Sequence, residues 1–228
     1  MMLKQEELRY ERKYLITDYT YQDVEQLIKF HPARFSEIYH TRNINNIYFD
    51  TLGMNHYYDN VEGSPERLKV RIRWYGELMG EVTKPVLEYK IKKGLLGKKK
   101  SYTLHPFVLD TAFDQLQIEK AIAGNVLPLP VQNELLSLRP FLLNTYKRKY
   151  FLSADKKFRI TIDYNLGYYQ INYGRNQFIH KQYDHQATIL ELKYDAVYEP
   201  QAKMVSDKFP FALTKSSKYL QGLERIVL

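Results

Sequence analysis

The sequence predicts an α+β fold: a closed antiparallel β-barrel with a charged interior, flanked by helices. The first observation behind this is the run Leu68-Lys69-Val70-Arg71-Ile72-Arg73-Trp74. Side chains along a strand alternate between faces, so Leu68, Val70, Ile72 and Trp74 share one face while Lys69, Arg71 and Arg73 share the other. Same-face neighbours stand about 7 Å apart, a spacing at which consecutive cations can grip successive phosphates of one polyanion. One such run is also what a strand with a solvated face gives. The second observation is recurrence. Glu11 and Lys13 alternate with Tyr10, Arg12 and Tyr14; Glu88 and Lys90 with Leu87, Tyr89 and Ile91; Arg159, Thr161 and Asp163 with Phe158, Ile160, Ile162 and Tyr164; Glu191 and Lys193 with Leu190, Leu192 and Tyr194. A solvated face would carry Thr, Ser, Gln and scattered Lys. Arg and Glu in mid-run, opposite apolar faces, suit strands closed around a polar lumen. Such a lumen repels itself when empty and so implies an anionic guest.

The elements follow in order. Residues 9–16 read as a strand, and residues 21–30 as a helix, with Val24, Leu27 and Ile28 at helical spacing and His31-Pro32 as its stop. Ile44 to Asp50 reads as a strand before a loop at Gly53. Residues 67–75 and 85–92 are strands joined by a turn from Gly76 to Lys84, and residues 98–104 form another after Gly94-Leu95-Leu96-Gly97. Helical patterns cover residues 111–123 and 131–138, bounded by Gly124, Pro128, Pro130 and Pro140. Strands resume at 143–152, 157–164, 167–173 and 187–195; Pro200 suits the first turn of a helix, and residues 215–224 look helical. Arg71-Ile72-Arg73 followed by Leu87-Glu88-Tyr89-Lys90 is echoed by Arg159-Ile160-Thr161-Ile162-Asp163 followed by Leu190-Glu191-Leu192-Lys193, as if two similar halves supplied two walls.

Composition narrows the partners. The 228 residues suffice for one good core or two small ones, and residues 1–228 are read as a single domain. Lys and Arg number 34 against 26 Asp and Glu, a formal charge of +8. Nucleic acid, acidic lipid and polyphosphorylated small molecules are all open on charge alone. A nucleic-acid binder would cluster its basic residues on an exposed face, whereas these interleave with carboxylates, so no nucleic-acid partner is expected. The absence of cysteine excludes disulfides, zinc-thiolate sites and thiol nucleophiles. The start, MMLKQEELRYERKY, has no apolar core of signal-peptide length, and no run approaches the ~20 apolar residues of a membrane span, so a cytoplasmic protein is expected. Twenty-one tyrosines read as wall residues of half-buried strands.

Gly94-Leu95-Leu96-Gly97-Lys98-Lys99 fails as a P-loop, which needs four residues between its glycines and Ser or Thr after the first Lys. The six histidines show no metal-ligand spacing. A different, ordered set of motifs is specific: Arg9-Tyr10-Glu11-Arg12-Lys13-Tyr14, Ile47-Tyr48-Phe49-Asp50, Lys69-Val70-Arg71-Ile72-Arg73-Trp74-Tyr75-Gly76, Leu87-Glu88-Tyr89-Lys90, Tyr146-Lys147-Arg148, Arg159 to Asp163, Leu190-Glu191-Leu192-Lys193 and Ser217-Lys218-Tyr219. Together, across residues 9 to 221, they resemble the catalytic domain of the vacuolar transporter chaperone (VTC) polyphosphate polymerases, within the CYTH-like triphosphate tunnel metalloenzymes.

The resemblance implies an eight-stranded antiparallel tunnel that grips a triphosphate and passes a growing polyphosphate chain. It implies phosphate binding by Lys13, Arg71, Arg73, Lys90, Arg148, Arg159 and Lys218, all but Lys13 forming the catalytic set. Lys69 and Lys193 alternate onto the same faces and are further phosphate contacts. Of Lys98, Lys99 and Lys100 one should match a tunnel lysine, and strand alternation selects Lys99. The resemblance makes Glu191 the principal ligand of a divalent metal, Mn²⁺ or Mg²⁺, with Glu88 or Glu11 assisting. It implies ATP and inorganic polyphosphate as partners, and any membrane partner is expected to be a separate chain. One departure stands out. The wider superfamily opens with Glu-x-Glu-x-Lys, and here the first Glu is Arg9. That removes a metal carboxylate and adds a cation, which favours holding a long polyanion over a two-metal hydrolase. The alternatives are a tunnel triphosphatase, with Glu11, Glu88 or Asp163 orienting water, and a binding module without turnover.

Overall fold

The computed structural model describes residues 9–93, 96–123, 125, 127–172, 174 and 176–227. Gly94, Leu95, Gly124 and Tyr173, which figured in the loop, helix-end and strand expectations, lie outside the described residues. The strands are β1 (Arg9–Ile16), β2 (Ser36–Thr51), β3 (Glu66–Tyr75), β4 (Gly80–Val82), β5 (Val86–Lys93), β6 (Leu96–Thr103), β7 (Phe107–Leu109), β8 (Leu138–Leu152), β9 (Arg159–Gln170), β10 (Lys181–Asp184) and β11 (Thr188–Asp195). The helices are α1 (Tyr21–Lys29), α2 (Asn55–Glu62), α3 (Gln115–Ala123), α4 (Leu129–Leu136), α5 (Glu199–Ser206) and α6 (Lys218–Ile226). Among the described residues no helix is long and apolar enough to cross a membrane.

The main sheet has nine strands rather than the expected eight. Eight follow the order β1-β11-β9-β8-β2-β3-β5-β6, and β10 pairs with β9 off that path; β4 and β7 form a separate pair. The ladders β1–β11, β11–β9, β2–β3, β3–β5 and β5–β6 are antiparallel. The strands β1 and β6 end the order and do not pair with each other among the described residues. The chain divides into two compact units: Met1–Arg42, Lys147–Leu166 and Asp184–Ser216 in the first, Asn43–Tyr146, Gly167–Tyr183 and Ser217–Leu228 in the second.

Each unit has its own apolar core. In the first, Tyr14, Ile160, Ile162, Leu190 and Leu192 project from one face of their strands onto Val24 and Ile28 of α1 and Ala202 and Val205 of α5. A capping box starts α1: Thr20 Oγ1 accepts from the Asp23 amide at 3.2 Å, and the Asp23 carboxylate accepts from the Thr20 amide at 3.0 Å. Arg12, on the apolar face of β1, fastens α5 by donating to Glu199 at 2.7 Å and also donates to Tyr194 of β11 at 2.9 Å. In the second unit Val70, Ile72, Trp74, Leu87 and Tyr89 pack with Ile118 and Ala121 of α3 and Val131 and Leu135 of α4. Here α6 lies close to β8 because residue 222 is glycine: an added Cβ would collide with the Leu142 and Tyr168 side chains.

Several elements depart from the sequence reading. The strand β2 runs 16 residues, extending N-terminally through Ser36–Asn43, whose side chains are largely exposed and show no apolar alternation. The helix α2 lies just beyond the loop at Gly53, in a stretch to which the sequence assigns no element; its N-cap is Met54 in the left-handed region, without a side-chain cap. Its first amides are satisfied from a distance: Asp50 accepts from His56 and Tyr57, each at 2.9 Å. The expected strands at 157–164 and 167–173 form one strand, β9, with Asn165 at φ 51°, a conformation Asn tolerates. Pro140 lies inside β8, near its first residue, where the missing amide is tolerated.

Candidate functional site

In the second unit the backbone register brings the predicted cations onto one surface. Directly paired residues share a face, and Arg71 pairs with Glu88, Lys69 with Lys90, and Lys90 with Lys99. Alternation adds Arg67, Arg73 and Lys92 to that face. Glu88 is its only carboxylate on β3, β5 and β6 among the described residues. Lys98 and Lys100 fall on the opposite face, as expected from the choice of Lys99. The row Lys69–Lys90–Lys99 sets like charges across three neighbouring strands, an arrangement that is unfavourable without a counter-charge.

Glu88 organises the centre of this face. Its Oε2 accepts from Arg71 Nε at 2.7 Å and Nη2 at 2.6 Å, Arg73 Nη1 stands 3.8 Å away, and Lys99 pairs with Oε1. Burial works to raise the Glu88 pKa, but the fields of Arg71 and Arg73 and the bonds from Lys99 and Arg71 outweigh it and hold the carboxyl at about 2. The Arg71 guanidinium is correspondingly stabilised: burial opposes its charge, and Tyr48, Glu88 and Tyr146 more than restore it.

Neutral side chains to which the sequence reading gave no site role hold these arginines in place. Arg71 Nη1 donates to Tyr48 OH at 3.3 Å, Arg73 Nε to Asn46 Oδ1 at 2.9 Å, and Arg73 Nη2 to Tyr146 OH at 3.2 Å. Asn46 in turn donates to Asn144 Oδ1 at 3.0 Å, which leaves the fully buried Asn144 amide nitrogen as a donor without a partner among the described residues. In the register Asn46 lies opposite Arg73, on the charged face of β2, and no sequence signal marked Asn46 or Asn144 as part of the site. Lys69 donates to Ser217 Oγ, the N-cap of α6, at 2.9 Å, and Lys218 Nζ sits 4.7 Å from the Tyr146 ring centroid. Tyr219 of α6 donates to Asp50, which anchors the start of that helix.

The first unit carries a mixed set. Asp163, fully buried, takes a bidentate bond from Arg148: Nε to Oδ1 at 2.5 Å and Nη2 to Oδ2 at 2.6 Å. Glu191 Oε2 accepts from Lys193 at 2.8 Å and lies 3.6 Å from Arg148, while Lys13 stands 3.4 Å from both Glu191 and Glu11. Lys193 is also 3.8 Å from Glu11. Burial pulls the Lys13 ammonium down, but the carboxylates of Glu191 and Glu11 more than compensate and hold its pKa above the ordinary range. Arg159, opposite Lys193 in the register, is exposed. Thr161, opposite Glu191, has a buried hydroxyl with no partner among the described residues.

The echo seen in the sequence holds for the two carboxylates but not for the arginines, since Arg159 is exposed and the arginine near Glu191 is Arg148. Glu88 stands on β5 and meets Arg71 and Lys99 from its neighbours β3 and β6, while Glu191 stands on β11 and meets Lys13 from its neighbour β1 and Arg148 from β8, one strand beyond β9. The two sets differ in charge. One is basic around a single carboxylate, and the other holds Glu11, Asp163 and Glu191 among its cations.

This difference bears on a metal. The three carboxylates expected to hold one divide between the units, with Glu88 in the second and Glu11 and Glu191 in the first. Among the described residues no three His, Asp or Glu groups gather as a complete metal cage. Glu11 and Glu191 nevertheless share Lys13 and Lys193, so their oxygens converge on positively charged groups. Two hard carboxylates completed by phosphate oxygens are a donor set that Mg²⁺ and Mn²⁺ accept.

Because the folded pKa of Glu88, about 2, lies below the ordinary 4.5, its stabilisation is present above pH 4.5 and is lost as the pH falls towards 2. Glu88→Gln is expected to lower the melting temperature at neutral pH, a loss on the order of 3 kcal/mol. The gap between parent and variant should close on acidification through that window. A gap that does not change with pH in thermal melts would contradict the pairing.

The strands display arginines and lysines around carboxylates, groups whose N–H donors and charge match phosphate oxygens. The sequence profile of the VTC domain matches residues 8–227, and the chain belongs to that family. No curated protein sequence matches it. Among solved structures it is similar to HpAC1 from Hippeastrum, an adenylyl cyclase candidate described as having a dominant triphosphatase activity (TM-score 0.55, 13% identity, 96% of each chain covered). It is also similar to a candidate adenylate cyclase from Vibrio parahaemolyticus (TM-score 0.52, 10% identity, covering 96% of this chain and 99% of that one). At such identities the likeness is one of fold, an antiparallel sheet with flanking helices.

Proposed function

We propose that this protein is a metal-dependent polyphosphate polymerase that transfers the γ-phosphate of ATP to the end of a polyphosphate chain. The whole chain acts as one VTC-like domain around a basic tunnel of the kind its family uses. The observation that supports this reading is the basic face of β3, β5 and β6. From Arg67 to Arg73 it extends six residues, roughly 20 Å at ~3.3 Å per residue, longer than one nucleotide's triphosphate and suited to a phosphate chain.

The chemistry asks the protein for positioning and charge neutralisation. A terminal phosphate oxygen of the chain attacks the γ-phosphorus, the bond from γ-phosphorus to the β,γ-bridging oxygen breaks, and the electron pair leaves on ADP. The nucleophile is already an anion, so no general base is needed. Arg71, Arg73, Arg148, Arg159, Lys13, Lys69, Lys90, Lys99, Lys193 and Lys218 bring positive charge to the phosphate oxygens. Glu191 and Glu11 would hold Mn²⁺ or Mg²⁺, which when bound neutralises charge on phosphate oxygens. Glu88 serves instead to hold Arg71 and Arg73.

Hydrolysis would need a carboxylate to orient water. Asp163 is clamped by Arg148, Glu88 by Arg71 and Lys99, and Glu11 lies near Lys13 and Lys193, which argues for transfer to phosphate. Incubation with ATP and Mn²⁺ is expected to yield ADP with little free phosphate at early times, the missing phosphate appearing as polymer digestible by exopolyphosphatase. ADP and free phosphate in equal amounts would mean a triphosphatase. Tight polyphosphate binding without turnover would mean a binding module.

A further inference from the structure

We infer that Tyr39, Arg42 and Tyr150 form a stacking platform for the purine base of the nucleotide substrate. The inference rests on the ATP reading above, and it names a subsite that the phosphate-binding cations do not supply.

Three observations in the first unit carry it. Tyr39, on β2, is a large aromatic side chain left 51% exposed. Its ring lies 5.6 Å from that of Tyr150 at an interplanar angle of 89°, and the Arg42 guanidinium packs on both, 4.7 Å from the Tyr39 centroid and 5.4 Å from that of Tyr150. Tyr150 follows Arg148 by two residues on β8, so the two share a face about 7 Å apart. Arg148 belongs to the set that holds Asp163 and Glu191. The platform therefore stands one same-face step from the phosphate and metal groups, a distance that a ribose and its first phosphate can bridge.

The chemistry of the platform selects a base over another phosphate. A phosphate is best met by the bare N–H edges of a guanidinium. A guanidinium packed on two rings, beside an exposed ring, offers flat π surface instead. Every nucleobase can stack on such a surface, and it does so without a hydrogen-bond code. The platform falls in the exposed N-terminal part of β2, where the sequence alone shows no strand.

The test compares a β,γ-imido ATP analogue with tripolyphosphate, which has no base, by calorimetry on the full chain. Tyr39→Ala is expected to weaken the analogue by about tenfold, within the ~5–150-fold range of one base-stacking contact, and to leave tripolyphosphate unchanged. Tyr39→Phe, which keeps the ring, should restore parental affinity and exclude a folding artefact. Unchanged analogue affinity in Tyr39→Ala overturns the inference, as does an equal loss for both ligands or a parent that does not bind the analogue. A protein that binds the analogue through Tyr39 yet makes no polymer leaves this inference standing and removes the polymerase reading.

Discussion

Replacing Arg71 and Arg73 together by alanine is expected to abolish triphosphate binding and turnover. Arg71 is buried beside Glu88, held by two short bonds of 2.7 and 2.6 Å, and Arg73 is fixed by Asn46 and Tyr146. Both guanidiniums are thus held in place before any phosphate arrives. Hydrogen bonds to charged groups are worth about 1.5–3 kcal/mol each, so loss of two arginines should weaken tripolyphosphate by about 10³-fold. Removing a charge-stabilising arginine from phosphoryl transfer costs on the order of 10³-fold or more in kcat. The double variant also strips two cations from a buried carboxylate, so its melting temperature should fall at neutral pH. Adding Glu88→Gln to the pair should recover stability without recovering binding, which separates the two roles. Arg71→Lys keeps the charge and loses the fork, and should fall between parent and alanine. Parental affinity for tripolyphosphate in the double alanine variant would remove these residues from the site.

The second large effect is expected at Glu191. Glu191→Gln keeps the shape and removes the charge, and should weaken Mn²⁺ binding by more than the 10–100-fold typical of an indirect metal partner. Manganese titrations followed by electron paramagnetic resonance, with tripolyphosphate present, read this without relying on turnover. In the folded chain Glu191 meets Lys193, Lys13 and Arg148, at 2.8, 3.4 and 3.6 Å. A purely structural ion pair would show itself as a stability loss with an unchanged manganese requirement. Asp163 keeps Arg148 paired in the variant, which limits the structural damage.

The strands bearing alternating charge were legible in the sequence because their period is two and one face is mostly apolar. The ladders β3–β5 and β11–β9 carry the cations and carboxylates on the face that alternation assigned to them. Lys99 was separable from Lys98 and Lys100 for the same reason. The short strands β4, β7 and β10 were not legible, since three or four residues hold too little pattern. The helix α2 was hidden because its capping comes from Asp50, outside the usual N-cap position. Asn46, Asn144, Tyr48 and Tyr146 were invisible as site residues, because a neutral side chain in a strand does not announce which charge it will hold.

By itself the sequence determined which residue types alternate, and therefore that apolar and charged faces must separate along each strand. Local sterics impose that alternation whatever the rest of the chain does. Only the tertiary structure decided partnership. Glu88 is held by Arg71 and Lys99, and Arg148 is clamped by Asp163. The carboxylates sort into a set around Glu191 and a lone one at Glu88. Those pairings depend on strand register and on side chains distant in sequence that desolvate together, and Coulomb energies over a few ångströms then choose among partners that the sequence leaves equivalent.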